Sequence, residues 1–357
     1  MTANFLTGPV EPNARVRAAF AGAPLSHRAP TFAALLARTR ASLRRLTNAS
    51  HAVVMLGSGT LANDAVAAQL RAGGGSGLVL ANGEFGERLI DHARRFGLEF
   101  TAETCPWGEP FDWPRVRLIA AHLQPAWIWA VLSETSTGML NPLDELRAIA
   151  ASAGASLCID AISAIGLVDV DLAGVRFATA VSGKGLASYP GLSMVLHDGH
   201  LARPDRIPRY LDLASYESAN GVPFTHSSNQ VAALDAALSG TDWPRKFSRV
   251  ITQSRALRTG FARAGLACVA HERHACPGIV TVVAPKDVAA GEIARMLEKY
   301  DVEVAWQSDY LRRHNWLQIC LMGEIDADAV ESLPAMLAHA VSEASIARPQ
   351  RRLFAAD

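Results

Sequence analysis

Short, nearly unbroken apolar runs recur along the chain, and amphipathic stretches lie between them. Val53-Val54-Met55-Leu56, Leu78–Ala81, Trp127–Ser133, Ser156–Ile159 and Phe177–Val181 are such runs. Brief runs without polar positions predict strands of a sheet covered on both faces. Apolar positions at Phe32, Leu35, Leu36, Leu43 and Leu46 follow helical spacing and predict a helix from Thr31 to Leu46. The same reading predicts an Ala-rich helix over Leu61–Leu70, a helix over Glu87–Phe96, and a strand near Glu99–Ala102. Asn13–Ala21 reads as a short helix. Strands alternating with helices on this period predict an α/β domain with a mostly parallel sheet. Sheets of that kind hold ligands beyond the carboxyl ends of their strands.

Composition narrows the function. The chain has 357 residues, half of them hydrophobic, enough for a large domain and a smaller one. Basic and acidic residues balance at 34 each, which argues against nucleic acid or an anionic membrane as a partner. No apolar stretch is long enough to predict a transmembrane helix, and no signal peptide is expected. Cys105, Cys158, Cys268, Cys276 and Cys320 are scattered and lack CxxC spacing. They read as reduced thiols of a cytoplasmic protein, not as a disulfide framework or zinc site.

Candidate chemistry gathers where predicted strands end. Gly57-Ser58-Gly59-Thr60 stands between a strand and a helix. That turn is either plain or an anion cradle, since free helix amides and hydroxyls favour negative charge there. Neither a Walker loop nor GxGxxG is present, so a single phosphate fits better than a dinucleotide. Phe85, between Gly83 and Gly86, is either a core residue or a platform for a planar ligand. Glu134-Thr135-Ser136-Thr137 crowds polar groups at one strand exit. Asp160 closes an apolar strand, and a carboxylate there is either a helix cap or the counter-ion of a buried cation. Ser26–Pro30 carries His27 and Arg28 and is either a surface turn or a functional loop.

The lysines are the sharpest signal. Only Lys184, Lys246, Lys286 and Lys299 occur, beside 30 arginines. Arginine keeps its proton in proteins, whereas a desolvated lysine loses it and becomes a nucleophile toward carbonyls. Lys184 alone follows an apolar strand in a glycine-bordered turn, Ser182-Gly183-Lys184-Gly185. It is either a solvated loop lysine or a Schiff-base lysine. A phosphate cradle, a flat aromatic, a buried carboxylate and such a lysine together are what pyridoxal phosphate requires.

With LTGPVEP, SHRAPTF, GSGT, NGEFGER, ETSTGMLNPL, IDAISAIG, SGKGLASYPGL and LMGEIDADAV in this order, the sequence resembles the class V aminotransferases of PLP fold type I. Its branch is that of alanine–glyoxylate, serine–pyruvate and 2-aminoethylphosphonate–pyruvate transaminases. The resemblance implies a large domain over 15–240 with a mostly parallel seven-stranded sheet, and a small C-terminal α/β domain over 241–357, the boundary falling in or near a long helix around Val231–Thr252. The arm 1–14 is then expected beside the small domain. Lys184 matches the Schiff-base lysine, Asp160 the partner of the pyridine nitrogen, and Phe85 the stacked aromatic. Ser58, Gly59 and Thr60 match the phosphate cup, with Ser182 expected to add to it, and Thr135 matches a hydroxyl near the ring. Thr225, in PFTHSSN, matches a threonine given to the phosphate of a neighbouring subunit. That implies a homodimer with shared sites.

Two departures stand out. Gly183 replaces the Gln or Asn that often precedes the lysine. Gln318, in WLQICLMG, stands where the family carries an arginine for the substrate carboxylate. A neutral amide cannot form the bidentate clamp. Either Arg28, Arg312 or Arg313 substitutes, or the substrate is atypical. The expected reaction is transfer of an amino group from a small amine or amino acid to a keto acid or aldehyde. The alternative is a PLP-dependent lyase or carbon–carbon bond-forming enzyme.

Overall fold

In the protein's computed structural model, which describes residues 2–202 and 207–354, the five apolar runs pair with Phe100–Thr104 and Leu192–His197 into one seven-stranded sheet. Its strands are β1 (His51–Leu56), β2 (Gly77–Ala81), β3 (Phe100–Thr104), β4 (Trp127–Val131), β5 (Ser156–Asp160), β6 (Phe177–Val181) and β7 (Leu192–His197). They lie in the order β1-β7-β6-β5-β4-β2-β3. From β6 to β3 every pairing is parallel; β7 alone runs antiparallel to both its neighbours. The mostly parallel α/β architecture expected from the sequence is therefore present. β7 escaped the sequence reading because it follows the lysine turn directly and looks like its continuation.

Alternation along the strands explains why both faces are covered. Val54, Leu80, Ile128 and Ile159 pack into one buried cluster with the helix Pro30–Thr47. Val53, Val79, Trp129 and Val195 point the other way, into a cluster with Val66 and Leu89. Val66 belongs to helix α1 (Gly59–Gly73) and Leu89 to helix α2 (Glu84–Arg95). Both helices follow a strand of the sheet directly, so their N-termini sit at its carboxyl edge.

Helix α2 starts three residues before the predicted Glu87. The buried carboxylate of Glu134 accepts the Phe85 and Gly86 amides at 3.3 and 2.9 Å, so the first turn is satisfied from outside the helix. The long helix expected over 231–252 is instead two: α3 (Ser228–Gly240) and α4 (Trp243–Arg263). Asp242 caps α4 by accepting the Arg245 amide at 3.2 Å, and Pro244 in the first turn has no N–H to continue α3.

A further cluster unites α4, the antiparallel pair β8 (Ile279–Val283) and β9 (Trp316–Cys320), and the last helix, Ala327–Phe354. Phe5 of the N-terminal segment is buried in it, and Ala3–Asn4 pairs in parallel with Val302–Glu303. Among the described residues, no helix is long and apolar enough to cross a membrane.

Candidate active site

The carboxyl ends of β1, β4, β5 and β6 open on a cavity of about 480 Å³. Residues flagged at four of these strand ends line it: Ser58, Gly59 and Thr60 after β1, Thr135 beyond β4, Asp160 ending β5, and Lys184 after β6. Phe85 joins them from the first turn of α2. Thr7, Gly8 and Pro9 of the N-terminal segment close part of the wall.

Lys184 is held by its own turn. The Ala187 amide donates to the Lys184 carbonyl at 2.8 Å, and the Ser188 amide to that of Ser182 at 3.0 Å. Its Nζ donates to Ser163 Oγ at 2.9 Å and lies 5.4 Å from the centre of the Phe85 ring. Burial drives the amine's pKa below its ordinary value, and the charge of Asp160 only partly opposes that. A lysine so placed can act as a nucleophile. Gly183 now has a reason: a Cβ there would stand 2.8 Å from Cα of Pro190, so no larger residue fits without moving backbone. From behind, buried Lys246 of α4 donates to the carbonyls of Gly185 and Met322 at 2.5 and 3.4 Å.

Asp160 is 4% exposed. Its Oδ2 accepts from Asn63 at 2.8 Å and its Oδ1 from the Ile162 amide at 3.0 Å. Asn63 in turn accepts from the Thr179 hydroxyl at 2.9 Å, which fixes the orientation of its amide. Burial pushes the Asp160 carboxyl up; the bonds from Asn63 and Ile162 and the charges of Lys184 and His92 pull the other way. An acidic group so prepared suits a cationic N–H. Opposite it, Ser58 sits at the N-cap of α1 with no amide on its hydroxyl, leaving the helix N-terminus open to an anion.

The hairpin after β4 ties these parts together. The hydroxyls of Thr135 and Ser163 are hydrogen-bonded, so Thr135 reaches Lys184 through Ser163. Glu134 also accepts the Ser136 amide and hydroxyl, besides the two α2 amides. Burial raises its pKa, and these four donors oppose the rise.

Several expected ligands lie elsewhere. Ser182 does not line the cavity; its hydroxyl donates to the Tyr189 carbonyl at 2.6 Å and accepts the Leu192 amide, so it is spent inside the lysine turn. Gln318 is fully buried within β9 and also outside the cavity lining. Its amide donates to the Thr135 carbonyl and to Thr281 Oγ1 at 3.0 Å, and its oxygen accepts from the Tyr310 hydroxyl at 3.2 Å. It is a strut between β9 and the hairpin, with nothing left for a substrate. Arg28 is exposed and reaches only the Val222 carbonyl, at 3.5 Å. Thr225 is exposed in the loop before α3, away from this chain's own cavity. Arg312 pairs with Asp309, and Arg313 meets Glu84 at 3.4 Å.

The sequence reading missed Asn63, Ser163, His92 and Arg88, all of which line the cavity. Asn63 and His92 were legible as polar residues on otherwise apolar helix faces. Exchanging Gln318 for leucine is expected to strand the Thr135 carbonyl and to take one bond each from the Tyr310 and Thr281 hydroxyls, Thr281 keeping its bond to the Ser136 carbonyl at 3.2 Å. The cost is about 2 kcal/mol or more, to be read by denaturant unfolding; an unchanged midpoint would remove the strut assignment.

No family model matches the chain. A soluble hydrogenase 42 kDa subunit of Anabaena cylindrica is 31% identical over 326 residues, 86% of this chain and 84% of that protein. A 2-aminoethylphosphonate–pyruvate transaminase of Pseudomonas fluorescens is 34% identical over 251 residues, 66% of this chain and 68% of that protein. Among solved structures, an alanine–glyoxylate aminotransferase of Nostoc sp. superposes with a TM-score of 0.86 at 26% identity, over 95% of each chain. The sequence match to a transaminase and the superposition on an aminotransferase agree with the lysine, carboxylate and anion cradle in one cavity. The chain belongs to the class V aminotransferases of PLP fold type I and is a pyridoxal-phosphate-dependent aminotransferase.

Proposed function

We propose that Lys184 anchors the cofactor and carries the reacting proton while amino groups pass between a small amine or amino acid and a keto acid or aldehyde. The supporting observation is that Lys184 and Asp160 share one cavity, with burial favouring the neutral amine of Lys184. When bound, pyridoxal phosphate supplies a planar electron sink. Asp160, oriented by Asn63 and Ile162, would face the ring nitrogen and keep it protonated. Ser58, Gly59 and Thr60, at the α1 N-terminus, would hold the phosphate, and Phe85, in the same cavity, would pack against the ring. Thr135 and Ser163 steer Nζ of Lys184, which takes up and returns a proton at the substrate carbon.

Thr225 and Arg28 are offered outward, as they would be in a homodimer whose subunits complete each other's sites. Residues 15–240 and 241–357 serve as large and small domains, with arm 1–14 against the latter. Five unpaired cysteines support a cytoplasmic setting.

Adding an amino donor without acceptor tests the reaction. A transaminase converts its bound cofactor from aldehyde to amine, stoichiometrically, and absorbance reads the change. A cofactor that stays in the aldehyde form while donor is consumed would indicate a lyase instead. The substrates named for the relatives, 2-aminoethylphosphonate with pyruvate and alanine with glyoxylate, are the first to try.

A further inference from the structure

With Gln318 closed off, the cavity still needs a partner for an acidic substrate. Among its described lining residues there is one arginine, Arg88. It stands one turn after Phe85 on α2, on the same helix face. Its guanidinium lies 4.9 Å from the centre of the Phe85 ring, so it is parked beside the surface on which a flat ligand would rest. Its Nε and Nη2 both point at Glu84 Oε1, each at 3.0 Å. Glu84 Oε2 meets Arg313 at 3.4 Å, so one carboxylate is shared by two arginines at the rim.

From this we infer that Arg88 is the receptor for a substrate carboxylate, and that Glu84 occupies it as a resident stand-in until the substrate arrives. Three observations carry the inference. The guanidinium presents a planar fork, and its partner today is already a carboxylate. The exchange is cheap on the arginine side, because the Arg88 and Arg313 side chains are 53% and 64% exposed, and Glu84, 18% exposed, keeps Arg313 as a partner when Arg88 turns to the substrate. Glu84 does not drift away when displaced, since its backbone amide is held by Ser136 Oγ at 3.1 Å. Recognition of the acid group has thus moved from strand β9 to helix α2. The inference rests on the reading of Lys184 as the cofactor's anchor.

The test is binding of a simple carboxylate, propionate, to the enzyme carrying its cofactor, followed by cofactor absorbance and by calorimetry. Ethylphosphonate forms a parallel arm. Arg88→Gln is expected to weaken propionate about tenfold or more, the loss of a charge-assisted pair. Glu84→Gln is expected to tighten it, because the competitor is gone. A merely structural role for the pair predicts that both variants weaken binding, so the opposite signs decide. Unchanged affinity in Arg88→Gln, weaker affinity in Glu84→Gln, or a loss confined to ethylphosphonate would each overturn the inference. Cofactor loading is measured in every sample: failure of Lys184 to hold cofactor in the parent enzyme would instead overturn the underlying reading.

Discussion

Replacing Lys184 with alanine should reduce turnover by at least ~10⁴-fold and abolish the covalent cofactor signal. The expectation follows from what the turn does. It holds one amine against Ser163, beside Phe85, in a setting where burial disfavours the charged form. Among the described lining residues no other lysine is present to substitute. The variant removes a group that is costly to bury when charged, so it should melt no lower than the parent when both lack cofactor. Loss of activity together with a large fall in melting temperature would point to misfolding. Retained turnover with a normal spectrum would end the assignment.

Asp160→Asn carries the second-largest expected effect. The substitution preserves volume and can still accept the Ile162 amide. Its new NH₂ group then faces the NH₂ group of Asn63, whose orientation Thr179 fixes. The site loses its charge and meets donor against donor. Turnover is expected to fall about 100-fold or more while cofactor still binds, since preorganised charge opposite a reacting group is worth that much. A spectral titration and a steady-state assay separate the two quantities. Undiminished turnover would show that the carboxylate does not serve the reaction. Thr179→Val should show a weaker effect of the same kind, by freeing Asn63 to turn over.

Five strands of the sheet, β1, β2, β4, β5 and β6, were legible because they are apolar runs that stop at polar residues, and most of those stops mark the cavity. Ser58, Asp160 and Lys184 needed only that logic. What the sequence concealed were contacts made far along the chain. The first turn of α2 is satisfied by Glu134, 48 residues on from Gly86. Starting that helix at Glu87 hid the one-turn relation between Phe85 and Arg88. Ser182 looked like a cup residue because it ends a strand. Its amide, however, still pairs with Leu192 on β7, and its hydroxyl turns back to Tyr189. Gln318 looked like a vacancy left by an arginine. Only the packing of β9 against the hairpin reveals it as a fully bonded strut. Direction of a side chain depends on pairing register, which spacing alone does not supply.

The grip of Lys246 on the carbonyls of Gly185 and Met322 means that the Lys184 loop is moored to α4 and to the segment just after β9 as well as to the sheet. Any shift of α4 would tug on the mooring. Drift in sequence along the far side of α4 can therefore retune reactivity without touching the chamber where the chemistry happens, giving evolution a remote adjusting screw.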